Sequence, residues 1–352
     1  MQYQLGNADM TIFDPKPPCF YHPIKVVFLD DNRNFLDTLE LEFSSQVNMS
    51  MFTNHDEALH MIDSYSESDA IQSVHQLTNN INADTTTDRV VDFSINKMLS
   101  VIYDQARFNT AAVVVVDYEM PNMNGIEFCK KLGNRNVFKI ILTAQADKDI
   151  AIKAFNDGVI DKFILKTSEN LYQELTTAIQ ELTMRYFKEF SRLITNSHDS
   201  SLKLVFESEA YQQLFQQVYS HSQAVEYYLI DNSGGFLFLD KNATPTWLII
   251  RHITELDEQL SLLEGYDAQD SLISAIQGKE KILFLFSEDE YKKPISDWPD
   301  YLVEAKKLNE EYYYSIVNKK LTDFIQWDKI VPYFKETSNV NKFTTMNNQI
   351  AY

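Results

Sequence analysis

The chain has 352 residues, 44% of them hydrophobic, with 8 glycines, 9 prolines and a formal net charge of −20. That length suits two domains with sizeable cores, and the scarcity of Gly and Pro excludes a linker-rich or low-complexity protein. The negative charge argues against general affinity for nucleic acid or anionic membranes, whose phosphates it repels.

Two cysteines, Cys19 and Cys129, make no disulfide framework and fit free thiols in a reducing compartment. The first residues lack the cationic start and apolar block of a signal peptide. No apolar run approaches the roughly 20 residues that span a bilayer. The expectation is a soluble cytoplasmic protein.

In chain order, residues 1–22 read as an irregular arm, because Pro15, Pro17, Pro18 and Pro23 disfavour regular structure. Phe13, Phe20 and Tyr21 are available to pin it to the body. "KVVFLDDN" (25–32) is a short apolar run typical of a strand buried on both faces, and it ends on Asp30 and Asp31. "NFLDTLELEF" follows with helical spacing. "NMSMFTN" (48–54) predicts a second strand and "DEALHMI" (56–62) a helix with an acidic first turn.

Residues 64–108 break this rhythm and read as an insertion. A mobile "NNINADTTTD" loop joins one or two helices there, the second carried by the amphipathic "VVDFSINKMLSVIYDQARF". The alternation then resumes. "AAVVVVD" is a strand ending on Asp117, "GIEFCKKL" a helix, "FKIILTA" (138–144) a strand ending at Thr143, "DKDIAIKAFNDG" a helix, and "DKFILKT" (161–167) a strand ending at Lys166. A long helical pattern covers about 168–195. Five strands alternating with helices predict a five-stranded parallel, doubly wound α/β sheet, with the insertion between its second and third strands.

Ligands of such sheets bind outside the carboxyl ends of the strands. Four of the five strands end there on Asp30 and Asp31, Asp117, Thr143 and Lys166. Three converging carboxylates repel one another and call for a cation, and an all-oxygen set favours Mg²⁺ shared with a phosphoryl group. Asp117 is then the nucleophile that becomes an acyl phosphate. Lys166 pairs with one phosphoryl oxygen as a point charge, and the Thr143 hydroxyl donates to another.

On "FLDDN", "VVVVDYEMPNMNGIEF", "IILTA" and "DKFILK", the chain resembles the receiver domain of bacterial two-component response regulators. The resemblance covers residues 24 to about 185 and implies a flavodoxin-like fold. It also implies phosphotransfer from a histidine kinase or phosphotransfer protein to Asp117. It implies Mg²⁺ held by Asp30, Asp31, Asp117 and the main-chain carbonyl of Glu119, and a switch made by Thr143 and Phe163. By itself, an aromatic at position 163 fits core filling as well as switching. The insertion departs from the family pattern by roughly 40 residues.

The turn-rich "NSHDSS" (196–201) marks the expected boundary, so the organisation is an arm (1–22), a receiver (23–195), a second domain (200–340) and a tail (341–352). In the second domain "LVFESEAYQQLFQQVYSHSQAV" (204–225) looks helical. "EYYLID", "FLFLD" and "TWLIIR" form an antiparallel meander, two helical stretches follow, and "KILFLF" and "EYYYSIV" are further strands. This predicts a smaller α+β domain. Its "EYYLID", "GGFLFLD" and "PTWLIIR" resemble the C-terminal segment of some atypical bacterial response regulators, including ones tied to quorum sensing. No catalytic motif stands out beyond the phosphoacceptor chemistry, and acids outnumber bases in this half too. The leading expectation is a phosphorylation-switched, homodimerising module with a protein or small-ligand output. The alternative is a transcriptional regulator or effector enzyme whose second domain acts on DNA or a nucleotide.

Overall fold

The computed structural model describes residues 16–44, 47–64, 98–133, 135–144, 147–195, 200–266 and 268–333. These residues divide into two compact units. The first holds 22–64 and 104–192, and the second holds 16–21, 98–103 and 193–333. The expected loop, the first part of the expected amphipathic helix of the insertion, and the tail lie outside the described residues. The first element in the chain, β1 (Phe20–Tyr21), belongs to the second unit.

The first unit is a parallel sheet of β2 (Lys25–Leu29), β3 (Met49–Phe52), β4 (Ala111–Asp117), β5 (Phe138–Thr143) and β6 (Lys162–Leu165). Helices α1 (Arg33–Phe43), α2 (His55–Ser64), α3 (Gly125–Leu132), α4 (Lys148–Asn156) and α5 (Leu171–Thr195) connect or follow them. The spatial order is β3-β2-β4-β5-β6, with all four pairings parallel. The two central strands explain themselves. Every residue of "KVVFL" and "AAVVVVD" is buried, as helices on both faces of a parallel sheet require.

Local chemistry sets the helix boundaries. Asn32 caps α1 by accepting from the Phe35 N–H, and Asn124 and Glu127 form a reciprocal capping box on α3. The described end of the insertion corrects one expectation. Val101–Tyr103 and Gln105–Asn109 are separate 3₁₀ turns, where the sequence pattern predicts one amphipathic helix. Asp104 breaks it: its carboxylate accepts from the Ala106 N–H and offers the backbone a local alternative.

The second unit opens, after β1, with α6 (Ser200–Glu207) and α7 (Glu209–Ser222), which the sequence pattern read as one helix from residue 204. They part at Ser208, whose backbone is extended. The meander β7 (Ala224–Leu229), β8 (Phe236–Asp240) and β9 (Pro245–His252) follows. Next come α8 (Ile253–Gly265), α9 (Asp270–Gln277), β10 (Lys281–Leu283), α10 (Glu288–Tyr291), β11 (Leu302–Glu304), β12 (Lys306–Lys307) and β13 (Tyr312–Val317). Six strands form a sheet in the order β1-β7-β8-β9-β13-β12, and β10 pairs with β11 separately. Tyr227, Phe236 and Phe238 are fully buried and meet Phe215 of α7 edge-on or tilted. The aromatics of β7 and β8 are therefore core, whereas Tyr312, Tyr313 and Tyr314 of β13 are half-buried.

β1 corrects the reading of residues 1–22 as irregular to their end. Phe20 and Tyr21 pair antiparallel with Tyr228 and Tyr227, and the Cys19 carbonyl accepts from the Leu229 N–H at 2.7 Å. Prolines flank this pair of residues without interrupting it.

Candidate phosphoacceptor site

Register brings the acids together. Leu29 of β2 pairs with Val116 of β4, so the next residues, Asp30 and Asp117, emerge side by side at the carboxyl edge. On the other side Thr143 ends β5, and the Lys166 N–H donates to the Thr143 carbonyl at 2.9 Å, which starts the lysine from the same edge. One carboxylate oxygen from each of Asp30, Asp31 and Asp117 lies within 4.8 Å of the others. Among the described residues they are the one group of three or more acid, His or Cys side chains so gathered.

Asp30 and Asp117 are buried, and Asp31 is exposed at the mouth. The Lys166 ammonium bridges the buried pair, 2.7 Å from Asp30 Oδ2 and 2.9 Å from Asp117 Oδ1. Asp30 Oδ1 accepts from the Asn32 N–H at 2.8 Å. Burial raises the Asp117 carboxyl above its ordinary value. The Lys166 hydrogen bond opposes this, the Asp30 charge adds to it, and a backbone hydrogen bond from Glu119 lowers it again. Burial pulls Lys166 down, but its hydrogen bonds to Asp30 and Asp117 outweigh that and hold its pKa above the usual lysine value.

The loop after β4 supports Asp117 from behind. A Cβ at Gly125 would fall 2.3 Å from the Asp117 carbonyl oxygen, so only glycine lets α3 start this close to the strand end. The Gly125 N–H donates to the Tyr118 carbonyl at 2.9 Å. The Glu119 side chain is exposed; its backbone, expected to present a carbonyl to a metal, meets the Asp117 carboxylate through the hydrogen bond just described.

Thr143 is fully buried, and its hydroxyl donates to the Ala144 carbonyl at 3.2 Å. Phe163 is half-buried against the core that holds Val116 and Ile141, edge-on to Phe155 at 6.5 Å. Thr143 thus closes β5, and Phe163 lies within β6. Phe35, which that reading passed over, lies with its ring centroid 4.7 Å from the Lys166 ammonium. The available signal was an aromatic in the first turn of the helix that opens just after the acidic pair.

Three carboxylates against one ammonium leave the pocket net negative. Oxygen donors alone, two of them buried and anchored by backbone N–H groups, suit a small hard divalent cation that keeps part of its water. The residues present fit Mg²⁺ held by Asp30, Asp31 and Asp117.

Residues 74–180 match the response regulator receiver domain family model. The matched span contains Asp117, Thr143 and Lys166 but not Asp30 and Asp31, which lie on the far side of the insertion. The structure of the Legionella pneumophila response regulator LqsR is 28% identical and covers 92% of this chain and 96% of its own, with a TM-score of 0.72. Adenylate cyclase from Rhodopirellula baltica is 19% identical over 53% of this chain and 99% of its own, with a TM-score of 0.30. A response regulator receiver domain protein from Clostridium thermocellum is 19% identical over 46% and 95%, also with a TM-score of 0.30. No curated protein sequence matches the chain. With the acidic pair restored to the matched region by the parallel register, the chain carries a response regulator receiver domain.

Proposed function

We propose that Asp117 accepts a phosphoryl group from a histidine kinase or phosphotransfer protein and that the acyl phosphate switches the conformation and oligomeric state of the chain. The P–N bond of a phosphohistidine protonated on its other ring nitrogen breaks as a P–O bond forms to the Asp117 carboxylate, and neutral imidazole leaves. The observation that carries this reading is the Lys166 ammonium between Asp30 Oδ2 and Asp117 Oδ1, at the carboxyl edge of a parallel sheet. A cation fixed at the acceptor oxygen is placed to follow the charge onto the incoming phosphoryl oxygens. Mg²⁺ at the three carboxylates supplies further neutralisation of those oxygens.

Thr143 and Phe163 are the proposed switch. The Thr143 hydroxyl gives up the Ala144 carbonyl for a phosphoryl oxygen, and Phe163 moves into the vacated space. This biases a two-state loop and reshapes the face made by α4, β6 and the start of α5, the proposed homodimer seam. The acyl phosphate carries about −1.5 to −2 charge in place of the carboxylate's −1, and its oxygens drive such a rearrangement where they gain new donors. The second unit then acts on a protein or small ligand. Its acidity disfavours DNA, and its resemblance to segments of quorum-sensing regulators supports a role in signalling of that type.

The test is treatment of the full chain with Mg²⁺ and acetyl phosphate, or with beryllofluoride, followed by intact mass and size-exclusion chromatography. Wild type gains one phosphoryl group and shifts its elution, and Asp117→Asn does neither. Equal behaviour of the two proteins rejects the proposal.

A further inference from the structure

We propose that Phe35 is a positioning residue for Lys166, an inference that rests on the phosphoacceptor reading of this pocket. The stretch Asp30–Phe35 reaches the ammonium twice. Asp30 Oδ2 accepts from Lys166 at 2.7 Å, and the Phe35 ring presents itself to the same nitrogen, 4.7 Å from its centroid. Asn32 makes both contacts possible. Its N–H donates to Asp30 Oδ1 and fixes that carboxylate, while its side chain accepts from the Phe35 N–H and starts α1. The first helical turn thus lies over the strand ends with an aromatic residue in it.

The three directions around the lysine nitrogen are then Asp30, Asp117 and an aromatic face. The first two are the contacts that the chemistry changes. A divalent cation competes for both carboxylates, and phosphorylation turns the Asp117 carboxylate into an ester-like group with its charge farther out. The ring face carries no proton and binds no hard metal, so its attraction for the ammonium persists through every state. Phe35 therefore keeps the lysine at the reacting oxygens while its anionic partners are taken by others. An aliphatic residue of similar size fills the same space but offers no quadrupole.

Two measurements test this on the full chain. In lysine-labelled wild-type protein, the ε-methylene protons of Lys166, assigned by Lys166→Arg, shift upfield because they lie over the ring, and the shift persists on adding Mg²⁺ and beryllofluoride. In Phe35→Leu the shift vanishes and the maximal rate of phosphorylation by acetyl phosphate falls about three- to tenfold, with little change in half-saturating donor. Phe35→Tyr, which keeps the ring face, restores both. The inference is overturned if the Lys166 protons show no upfield shift in the wild type, a result that needs no variant to fold. It is also overturned if folded Phe35→Leu phosphorylates like wild type, or if Phe35→Tyr is as slow as Phe35→Leu. Failure of wild type itself to take up phosphate would instead reject the phosphoacceptor reading, and the ring shift would still report whether Phe35 holds the lysine.

Discussion

Lys166 and a divalent cation held in this pocket would draw on the same two carboxylates, those of Asp30 and Asp117. Replacing Lys166 with Met therefore acts in two directions. Without Mg²⁺ the buried carboxylates lose their compensating charge, and stability falls by about 2–4 kcal/mol, discounted for the partial exposure of the lysine. With Mg²⁺ the ion meets no competitor, so the rise in Tm across a Mg²⁺ series exceeds that of wild type. Equal Mg²⁺ shifts in the two proteins would show that the lysine and the ion occupy separate places. Gly125 sets a different constraint, since a methyl there meets the backbone carbonyl of Asp117 and not a flexible side chain. Gly125→Ala is expected to displace the acceptor loop and lower stability by about 2–3 kcal/mol. It should also reduce phosphoryl uptake more than a surface substitution of equal stability cost, measured by intact mass after acetyl phosphate treatment.

Elements differ in how openly the sequence announces them. Buried parallel strands are written as apolar runs, so β2, β4 and β5 are legible, and with them the positions of Asp30, Asp117 and Thr143 at their ends. A two-residue strand among prolines has no period, and the pairing of β1 with β7 depends on a partner far along the chain. The Phe35 ring contact is illegible for a related reason, since it needs the helix cap, the register of β6 and the lysine rotamer together. Packing on α5 adds a consequence that periodicity does not convey. Its inner face carries Tyr186, Phe187 and Phe190, and Phe187 meets the buried His22 edge-on at 5.0 Å. His22 Nδ1 lies 3.0 Å from the Pro23 carbonyl, to which it donates. Burial, opposed by that hydrogen bond and reinforced by the charge of Arg107, lowers the His22 pKa to about 3. The unfolded chain, with an ordinary histidine, takes up the proton first as pH falls. The neutral His22 thus contributes its full stability above about pH 6.5 and loses it between there and about pH 3. Between pH 7 and pH 5 wild type should lose about 2 kcal/mol that His22→Phe does not, read from urea midpoints at the two pH values. Parallel losses in the two proteins would mean that His22 is protonated without cost in the fold.

At the scale of the whole molecule, neither unit is one continuous stretch of chain. The second unit takes a strand from before the receiver's first strand and a segment from inside the receiver's insertion. Both contributions are core. Phe20, Val101 and Ile102 are fully buried, and the Tyr103 hydroxyl accepts from the Gln326 N–H at 2.9 Å. Residues 98–103 of the insertion are therefore a component of the second unit carried on the receiver's chain, and the chain passes between the two units at several points. A fragment of the second unit cut at the apparent linker, residues 193–352, lacks these pieces and leaves the edge of β7 uncovered beside Tyr227 and Tyr228. Burying two or three large apolar side chains contributes about 1.5–3 kcal/mol each, a large share of the stability of any single domain. The fragment is thus expected to lose fixed tertiary structure, with weak near-ultraviolet circular dichroism and strong dye binding, while the full chain shows neither. Adding residues 14–21 through a short linker recovers part of the signal, and substituting Phe20→Ala in that version removes the recovery. A fragment of residues 193–352 that folds sharply by itself would show that the borrowed strand and insertion segment are dispensable covers.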